Sequence, residues 1–401
     1  MTEQGTIETY PGNRSIPPFS SDPTLDCIAE DEDFDGTWPF QPHFFHGNGF
    51  KQHYVEEGSE NASTGTIVLL HGEPTWGYLY RNFITPLSKT HRVIVPDHMG
   101  FGKSETPPDR EYCIRSHTLN LMNLLDHLNV DNVTLVIQDW GVILGTQYAL
   151  RRPDKVARIF YLSIGFPRTT DENTARAGGR DKYGRQGFEK MLALRNAEPG
   201  QRWFQWILSG TPDDPNYKCE AMPSNRKRDP WGRTEQVLLH SGSTIAHTMK
   251  HLVGFQSAEN MTDTWCRAYA AQFPTVESSV GALNFPMEAC GQLICSTEAN
   301  EFRTAAATEE NYGRLSKLPV WVAYGKEDRA IVFSEKAIQS FRKIWPNCPI
   351  IELKDCGHFI QEDCPDVLVG LIQTFIQTTG GSLSTYNNLT ASGGASWRTR
   401  L

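Results

Sequence analysis

The sequence predicts an α/β protein built around a doubly wound, mostly parallel sheet. Four short apolar runs recur at regular intervals, namely Thr66–Leu70, Val93–Pro96, Val133–Ile137 and Ala157–Leu162. Apolar runs of this length, bounded by turn residues, indicate strands that are buried on both faces. Between the second and third runs, Leu121, Leu124, Leu125 and Leu128 form one apolar stripe of a helix over Arg115–Leu128. This alternation of strand and helix is typical of a doubly wound sheet.

The strand pattern stops after Pro167 and resumes at Leu318–Gly325 and Pro349–Lys354. Because both later strands have the same buried pattern, a helical insertion within one sheet fits better than two serial domains. The predicted division is an extended arm over residues 1–45, a core formed by 46–166 and 318–379, a helical cap over 167–317, and a flexible tail over 380–401.

Composition narrows the class of protein. The chain has 401 residues, 39% of them hydrophobic, which is typical of a globular protein with a large core, and its net charge of −9 argues against nucleic-acid binding. No run approaches the roughly 18 apolar residues of a membrane span, and no signal peptide is recognisable at the N-terminus. Nine cysteines without a C-x-x-C pair predict reduced thiols, a cytoplasmic location and no metal site.

Polar residues follow three of the predicted strands. Asp139 ends the run at Val133–Ile137 and precedes a helix that has Gly141 in its first turn, which is the layout of a nucleophile elbow. A carboxylate at this position can attack carbon and form a covalent ester. The alternative for this segment alone is a helix N-cap.

The other two polar strand ends supply an acid and a base. Asp328 follows Leu318–Gly325, and His358 follows Pro349–Lys354. Nucleophile, acid and histidine in this chain order are typical of an α/β-hydrolase triad, with His358 as the base and Asp328 as the residue that orients it. Glu327 is the rival orienting residue, although the spacing favours Asp328.

A fourth element, His71–Trp76, follows the first apolar run. In an α/β-hydrolase the loop at this place donates one backbone N–H to the oxyanion hole, and the residue after the nucleophile donates another. These donors are predicted to be the amides of Glu73 and Trp140. A plain tight turn is the alternative for this segment.

At these residues the sequence resembles the haloalkane dehalogenases, in the branch that has Glu after His-Gly. The resemblance is carried by HGEPTWGYLYR (71–81), DHMGFGKSE (97–105), VTLVIQDWG (133–141), AYAAQFP (268–274) and CGHFIQE (356–362). It runs from about Phe50 to Phe375 and is interrupted in the insertion. It implies an α/β-hydrolase fold with an eight-stranded sheet and an inserted helical cap. In this branch the triad acid follows the strand after the cap, where Asp328 stands, and the position used by another branch holds Ser163.

The resemblance also implies an activity, which is hydrolytic cleavage of the carbon–halogen bond of an alkyl halide. Asp139 would displace halide and become an alkyl ester, and water activated by His358 would then release the alcohol. A small-molecule substrate, halide and water are the only expected partners, no cofactor or metal is required, and the oligomeric state stays open. The implied halide donors are the indole N–H groups of Trp140 and of Trp203, with Trp206 as the alternate.

Two departures from the family pattern leave the substrate open. Val142 replaces the glycine that usually follows Trp-Gly, and the segment over 212–260 is longer than the cap of the family. One alternative is therefore that the same triad acts on an epoxide or on a larger natural-product ester or lactone. Epoxide opening requires tyrosine donors, and the available ones are Tyr183, Tyr217 and Tyr269. A hydrolase-fold binding protein without catalysis is the third possibility.

Overall fold

The computed structural model describes residues 27–58, 65–108, 110–163, 249, 253, 260–274, 278, 281, 282, 285, 296–328 and 335–380. Within them, one eight-stranded sheet runs through the molecule in the order β1-β2-β4-β3-β5-β6-β7-β8. Its strands are β1 (Pro42–Phe45), β2 (Gln52–Glu57), β3 (Thr66–Leu70), β4 (Arg92–Pro96), β5 (Val133–Gln138), β6 (Val156–Leu162), β7 (Val320–Gly325) and β8 (Ile350–Leu353).

The sheet is parallel except at one edge. Strands β3 to β8 pair in parallel, whereas β1 and β2 pair with each other in antiparallel orientation and β2 joins β4 in the same way. The central strands β3 and β5 are buried along their whole length, which explains why most of their residues are apolar. The predicted sheet, mostly parallel and with eight strands, is therefore confirmed.

Helices alternate with the strands and pack on the sheet. Their bounds are α1 (Arg81–Ser88), α2 (Ile114–His127), α3 (Trp140–Arg151), α4 (Asp263–Ala270), α5 (Ser296–Ala305), α6 (Glu309–Leu315), α7 (Glu335–Arg342), α8 (Ile360–Asp363) and α9 (Pro365–Thr379). A 3₁₀ turn, Gly77–Tyr80, precedes α1. Helix α1 packs against α9, and α2 packs against α3. No helix of the described ranges is long and apolar enough to cross a membrane.

The strand order places a crevice at the middle of the sheet. From β3 the chain continues to β4 on one side, whereas from β5 it continues to β6 on the other. Loops that leave the carboxyl ends of β3 and β5 therefore diverge, and ligands of doubly wound sheets bind at such a point.

The segment expected to be an arm contributes to the core. Strand β1 lies within it, and Phe34 and Trp38 are buried against the core residues Trp76 and Tyr78. These aromatic contacts attach the described part of this segment, residues 27–45, to the core despite its weak periodicity, since large rings bury much apolar area each.

Candidate active site

The predicted site residues come from loops at one edge of the sheet. Glu73 follows β3, Asp139 follows β5, Asp328 follows β7 and His358 follows β8. Because the carboxyl ends of parallel strands share an edge, residues up to 285 positions apart meet here. Asp139, Asp328 and His358 are all buried, with less than a tenth of their surface exposed.

Asp139 occupies a sharp turn between β5 and α3. Its backbone has φ 51° and ψ −123°, a left-handed conformation that is costly for a residue with a side chain. The carbonyl of Asp139 accepts a hydrogen bond from the Val142 amide, so α3 begins at once. Its own side chain does not cap the helix. The N-cap alternative therefore has no support, and the turn lifts the carboxylate above the sheet as an elbow does.

His358 lies between two carboxylates. Its Nδ1 donates a hydrogen bond to Asp328 Oδ2 over 2.8 Å, and its Nε2 lies 3.5 Å from Asp139 Oδ2. The side-chain amide of Gln138 also lies 3.1 Å from Nε2. Glu327, the rival orienting residue, is exposed to solvent. Asp328, and not Glu327, is therefore the carboxylate in contact with the imidazole, whose Nε2 faces Asp139.

The carboxylates determine the protonation of His358. Burial opposes the imidazolium, but the charge of Asp328, together with the hydrogen bond to Asp139, outweighs it and raises the pKa of His358 to about 10. The two carboxylates thus favour the protonated form of His358.

The turn after β3 lies against the nucleophile. The backbone N–H of Glu73 donates to Asp139 Oδ1 over 2.9 Å, and the Glu73–Pro74 peptide bond is cis. Two glycines allow this approach. A methyl group on Gly72 would clash with the Asp139 side chain, and one on Gly141 would lie 2.5 Å from the Leu70 carbonyl oxygen. The structure thus aims a backbone donor at the carboxylate, as an oxyanion hole requires.

The side chain of Glu73 lies close to the charges of Asp139 and His358. Burial, reinforced by the negative charge of Asp139, raises the pKa of the Glu73 carboxyl well above its usual range. A neutral carboxyl group adds no second negative charge beside the nucleophile.

Buried histidines support this turn from behind. His71 Nδ1 donates to the Gly72 carbonyl over 3.0 Å, and the His98 amide donates to His71 Nε2 over 3.0 Å. The side chain of His98 returns a hydrogen bond to the His71 carbonyl over 2.9 Å. Burial lowers the pKa of both imidazoles. Neutral rings suit this role because each has one donor and one acceptor nitrogen.

Trp140 begins α3, directly after the nucleophile. Its ring is half-buried and lies parallel to Phe285, with 4.6 Å between ring centroids and 14° between planes. This stacking holds the indole against one wall of the site. Trp203 and Trp206, the predicted second halide donor and its alternate, lie outside the described residues.

The structure also places the tyrosines considered as epoxide donors. Tyr269 in α4 is buried, and its hydroxyl donates a hydrogen bond to Glu362. The Tyr269 hydroxyl is therefore already engaged in a hydrogen bond within the protein. Tyr183 and Tyr217 lie outside the described residues.

Sequence reasoning missed three residues that adjoin the site. Gln138 contacts His358, as described above. Gln272 joins α4 to the turn, because its side-chain amide donates to the Pro74 carbonyl over 2.8 Å and its oxygen accepts from the Gly102 amide over 3.0 Å. Glu362 is buried four residues after His358. For Gln138 and Gln272 the available signal was a polar residue in an otherwise apolar stretch.

The described residues contain no cluster of three or more His, Cys, Asp or Glu side chains that could hold a metal ion. The contacts of Asp139 with the Glu73 N–H and with His358 suit nucleophilic attack by a carboxylate, assisted by a histidine base and a backbone donor.

The chain resembles known proteins over most of its length. The alpha/beta hydrolase fold family matches residues 65–365. A haloalkane dehalogenase of Psychrobacter cryohalolentis is 31% identical over 349 residues, which cover 84% of this chain and 92% of that protein. A cis-3-alkyl-4-alkyloxetan-2-one decarboxylase of Shewanella oneidensis is 27% identical over 344 residues, or 85% of this chain and 90% of that one.

The solved structure of a haloalkane dehalogenase from Paraglaciecola agarilytica NO2 superposes with a TM-score of 0.57. That comparison, at 22% identity, covers 87% of this chain and 97% of the other and supports the fold. The identity to the curated relatives and the extent of the match confirm the resemblance found in the sequence motifs. The chain belongs to the haloalkane dehalogenase family of the α/β-hydrolase superfamily and is a hydrolase-type enzyme of that family.

Proposed function

We propose that the protein converts an alkyl halide and water into an alcohol, a halide ion and a proton through a covalent ester on Asp139. One observation carries the proposal. One carboxylate oxygen of Asp139 accepts the Glu73 amide, while the other faces the Nε2 of His358, which Asp328 holds in place. An oxyanion donor and a base therefore converge on one carboxylate, which is the proposed nucleophile.

The first step is an in-line displacement at an sp³ carbon. An Asp139 oxygen forms a bond to carbon, and halide leaves with the bonding electrons. The leaving halide needs hydrogen-bond donors without competing acceptors, and the indole N–H of Trp140 is such a donor. Phe285 fixes that ring by stacking. A tryptophan of the proposed cap, Trp203 or Trp206, would supply the second donor.

The second step uses the change in charge that the first step makes. The Asp139 carboxylate helps to hold the pKa of His358 at about 10. When Asp139 becomes a neutral ester, that contribution is lost, so the pKa of His358 falls and the imidazolium releases its proton to solvent. The neutral imidazole can then accept a proton from water. The resulting hydroxide attacks the ester carbonyl, whose oxygen is stabilised by the Glu73 and Trp140 amides. The adduct then collapses, the alkoxide leaves and takes the proton of the carboxylic acid so formed, and the products are the alcohol and the restored Asp139 carboxylate.

The experiment that tests this route is intact-protein mass spectrometry of the His358→Gln variant, incubated with short, long and aromatic alkyl bromides. We expect a stable mass gain equal to the alkyl group, located on the peptide that contains Asp139. The double variant with Asp139→Asn should gain no mass. Absence of both the adduct in the single variant and halide release in the folded wild-type enzyme, for every bromide, contradicts the proposal.

A second candidate substrate is a strained four-membered lactone. The oxetanone decarboxylases of Shewanella oneidensis and Xanthomonas campestris match 85% and 82% of this chain. Attack by Asp139 on the sp³ ring carbon that is bonded to the ring oxygen would break the bond between these two atoms. The former lactone carbonyl would then be a free carboxylate. Loss of that carboxylate as CO₂ would expel Asp139 and form an alkene, so no water is consumed. Alkene and CO₂ as products would identify this route, and alcohol and halide identify the first.

Epoxide opening has less support, because Tyr269 is engaged by Glu362. The contacts of the Asp139 carboxylate with the Glu73 amide and with His358 likewise favour an enzyme over a binding protein without catalysis. The cysteine pattern supports a cytoplasmic location. We also retain the proposed division into arm, core, cap and tail, in which the cap over 167–317 selects the substrate.

A further inference from the structure

Each polar side chain of the short helix α8 anchors the loop that carries His358. The side-chain amide of Gln361 donates to the Tyr80 hydroxyl over 3.3 Å. The carboxylate of Asp363 accepts the Gly357 amide over 2.6 Å, directly before His358. Glu362 accepts hydrogen bonds from two residues, Arg81 and Tyr269. The helix therefore ties the base to its surroundings and does not merely follow it.

Glu362 is buried and joins three separate parts of the chain. Its two oxygens accept hydrogen bonds from Arg81 Nη1 and Nη2 over 2.7 and 2.8 Å. The Tyr269 hydroxyl donates to the same carboxylate. Arg81 begins α1, shortly after the turn His71–Trp76 that contains Glu73, and this stretch, residues 71–81, is the oxyanion segment. Tyr269 belongs to α4. One carboxylate thus links the loop of the base, the oxyanion segment and a helix outside the core sheet.

The geometry of this cluster is constrained from several sides. The Arg81 guanidinium lies 4.3 Å above the Tyr78 ring and donates to the Tyr78 carbonyl. The rings of Tyr78 and Tyr269 meet edge to face at 5.5 Å. A bidentate pair between a planar guanidinium and a carboxylate fixes orientation as well as distance. The cluster therefore allows Glu362 little freedom.

The charges agree with this arrangement. Burial opposes the charge of Arg81, but the Glu362 carboxylate outweighs it and raises the pKa of the guanidinium. Burial, with the same carboxylate, raises the pKa of Tyr269 well above its usual range, so the phenol stays a donor. Glu362 thus forms an ion pair with Arg81 and accepts a further hydrogen bond from the neutral Tyr269 phenol.

We propose that Glu362 is a positioning residue for His358, and that Arg81 and Tyr269 act through it to hold the base at the distance from Asp139 that hydrolysis of the ester requires. The inference rests on the proposed function, because it assigns the cluster to the second of two chemical steps. Attack by Asp139 on the substrate does not require His358 to move a proton, whereas activation of water does. A displaced base therefore slows hydrolysis and leaves ester formation unchanged.

The test compares three variants of the full-length enzyme with the wild type. Tyr269→Phe removes one donor and keeps the ring, and Glu362→Gln removes the charge and keeps the size. The control is Glu56→Gln, because Glu56 forms a similar partly buried pair with Arg92 over 2.6 Å at the opposite end of the sheet. Rapid-quench mass spectrometry measures ester formation and ester decay separately with an alkyl bromide.

We expect Tyr269→Phe to slow ester decay about tenfold, as the loss of one hydrogen bond to a charged group does, and Glu362→Gln to slow it further. Ester formation and burst amplitude per folded enzyme should match the wild type, and Glu56→Gln should change neither constant. A purely structural role would lower only the amplitude, in proportion to the unfolded fraction. Unchanged decay in both variants, or an equal slowing in Glu56→Gln, would overturn the proposal.

A measurement without substrate separates this proposal from the proposed function. Hydrogen–deuterium exchange of the peptide over 356–364 should be faster in Tyr269→Phe than in the wild type and in Glu56→Gln. If no bromide forms an ester on Asp139 in any protein, the proposed function fails and exchange alone decides. Faster exchange at this peptide then supports the positioning role, and unchanged exchange refutes it.

Discussion

The replacement Gly141→Ala tests the close approach between the elbow and the oxyanion turn. The added methyl carbon would lie 2.5 Å from the Leu70 carbonyl oxygen and 2.7 Å from that of His71. Both are backbone atoms, so no side chain can rotate away. An ordinary contact begins at 3.4 Å, so the end of β3 and the start of α3 must separate by about 0.9 Å.

That separation moves the Glu73 amide away from Asp139. A misplacement of about 1 Å in a catalytic arrangement costs roughly 100-fold in rate, so we expect kcat/KM to fall by about that factor. Overpacking of a filled interior should also lower the free energy of unfolding by about 1–3 kcal/mol. The assays are halide release in steady state and urea unfolding followed by circular dichroism.

The chain offers a matched control in Gly313→Ala. Gly313 lies in α6, and a methyl group there would meet no heavy atom within 4 Å. Alanine at this exposed helical site should stabilise the protein by about 1 kcal/mol and leave kcat/KM unchanged. A Gly141→Ala enzyme whose kcat/KM and unfolding free energy both equal those of the wild type would refute the geometric reasoning.

Three further outcomes follow from the site. Asp328→Asn removes the carboxylate partner of His358 Nδ1 and should slow ester decay about 10³- to 10⁴-fold, as in other triads. Rapid-quench assays measure this decay, and a rate within about tenfold of the wild type would contradict the assignment of Asp328 as the orienting residue. Trp140→Phe keeps the stacking on Phe285 but removes the indole donor, so ester formation should slow about tenfold or more, the cost of one hydrogen bond to an ion; unchanged formation would remove Trp140 as a halide donor. Because the pKa of His358 is raised from 6.5 to about 10, its protonation stabilises the fold fully below pH 6.5, and this contribution is lost as pH rises through 10. Asp139→Asn removes one carboxylate responsible for the shift, so NMR titration should give a lower pKa for His358 in that variant, and an equal or higher value would contradict the charge argument.

The strands and their polar ends were predictable because each depends on local pattern. The run at Thr66–Leu70 is β3, and the runs at Val133–Ile137 and Ala157–Leu162 differ from β5 and β6 by one residue each. Such runs are unambiguous because a parallel strand is buried on both faces. Strand β1 escaped prediction, since Pro42–Phe45 is short, only partly buried and lies at the edge of the sheet.

Chain order and residue type alone determined the triad hypothesis and the choice of an aspartate nucleophile. The sequence likewise sufficed for the family, because its motifs are specific and the predicted elbow holds Asp139 where many hydrolases have Ser. These inferences need only neighbours in the chain and the rule that parallel strands align their carboxyl ends.

The tertiary structure alone decided which polar residues share a contact. It selected Asp328 over Glu327 because only Asp328 is buried within reach of His358. It brought Arg81, Tyr269 and Glu362 together from segments 93 or more positions apart, and it showed Tyr269 to be a donor to that carboxylate. Such contacts depend on distances between loops that are far apart in the chain. Spacing along the sequence does not encode these distances, because they are set by burial and hydrogen bonding in the folded state.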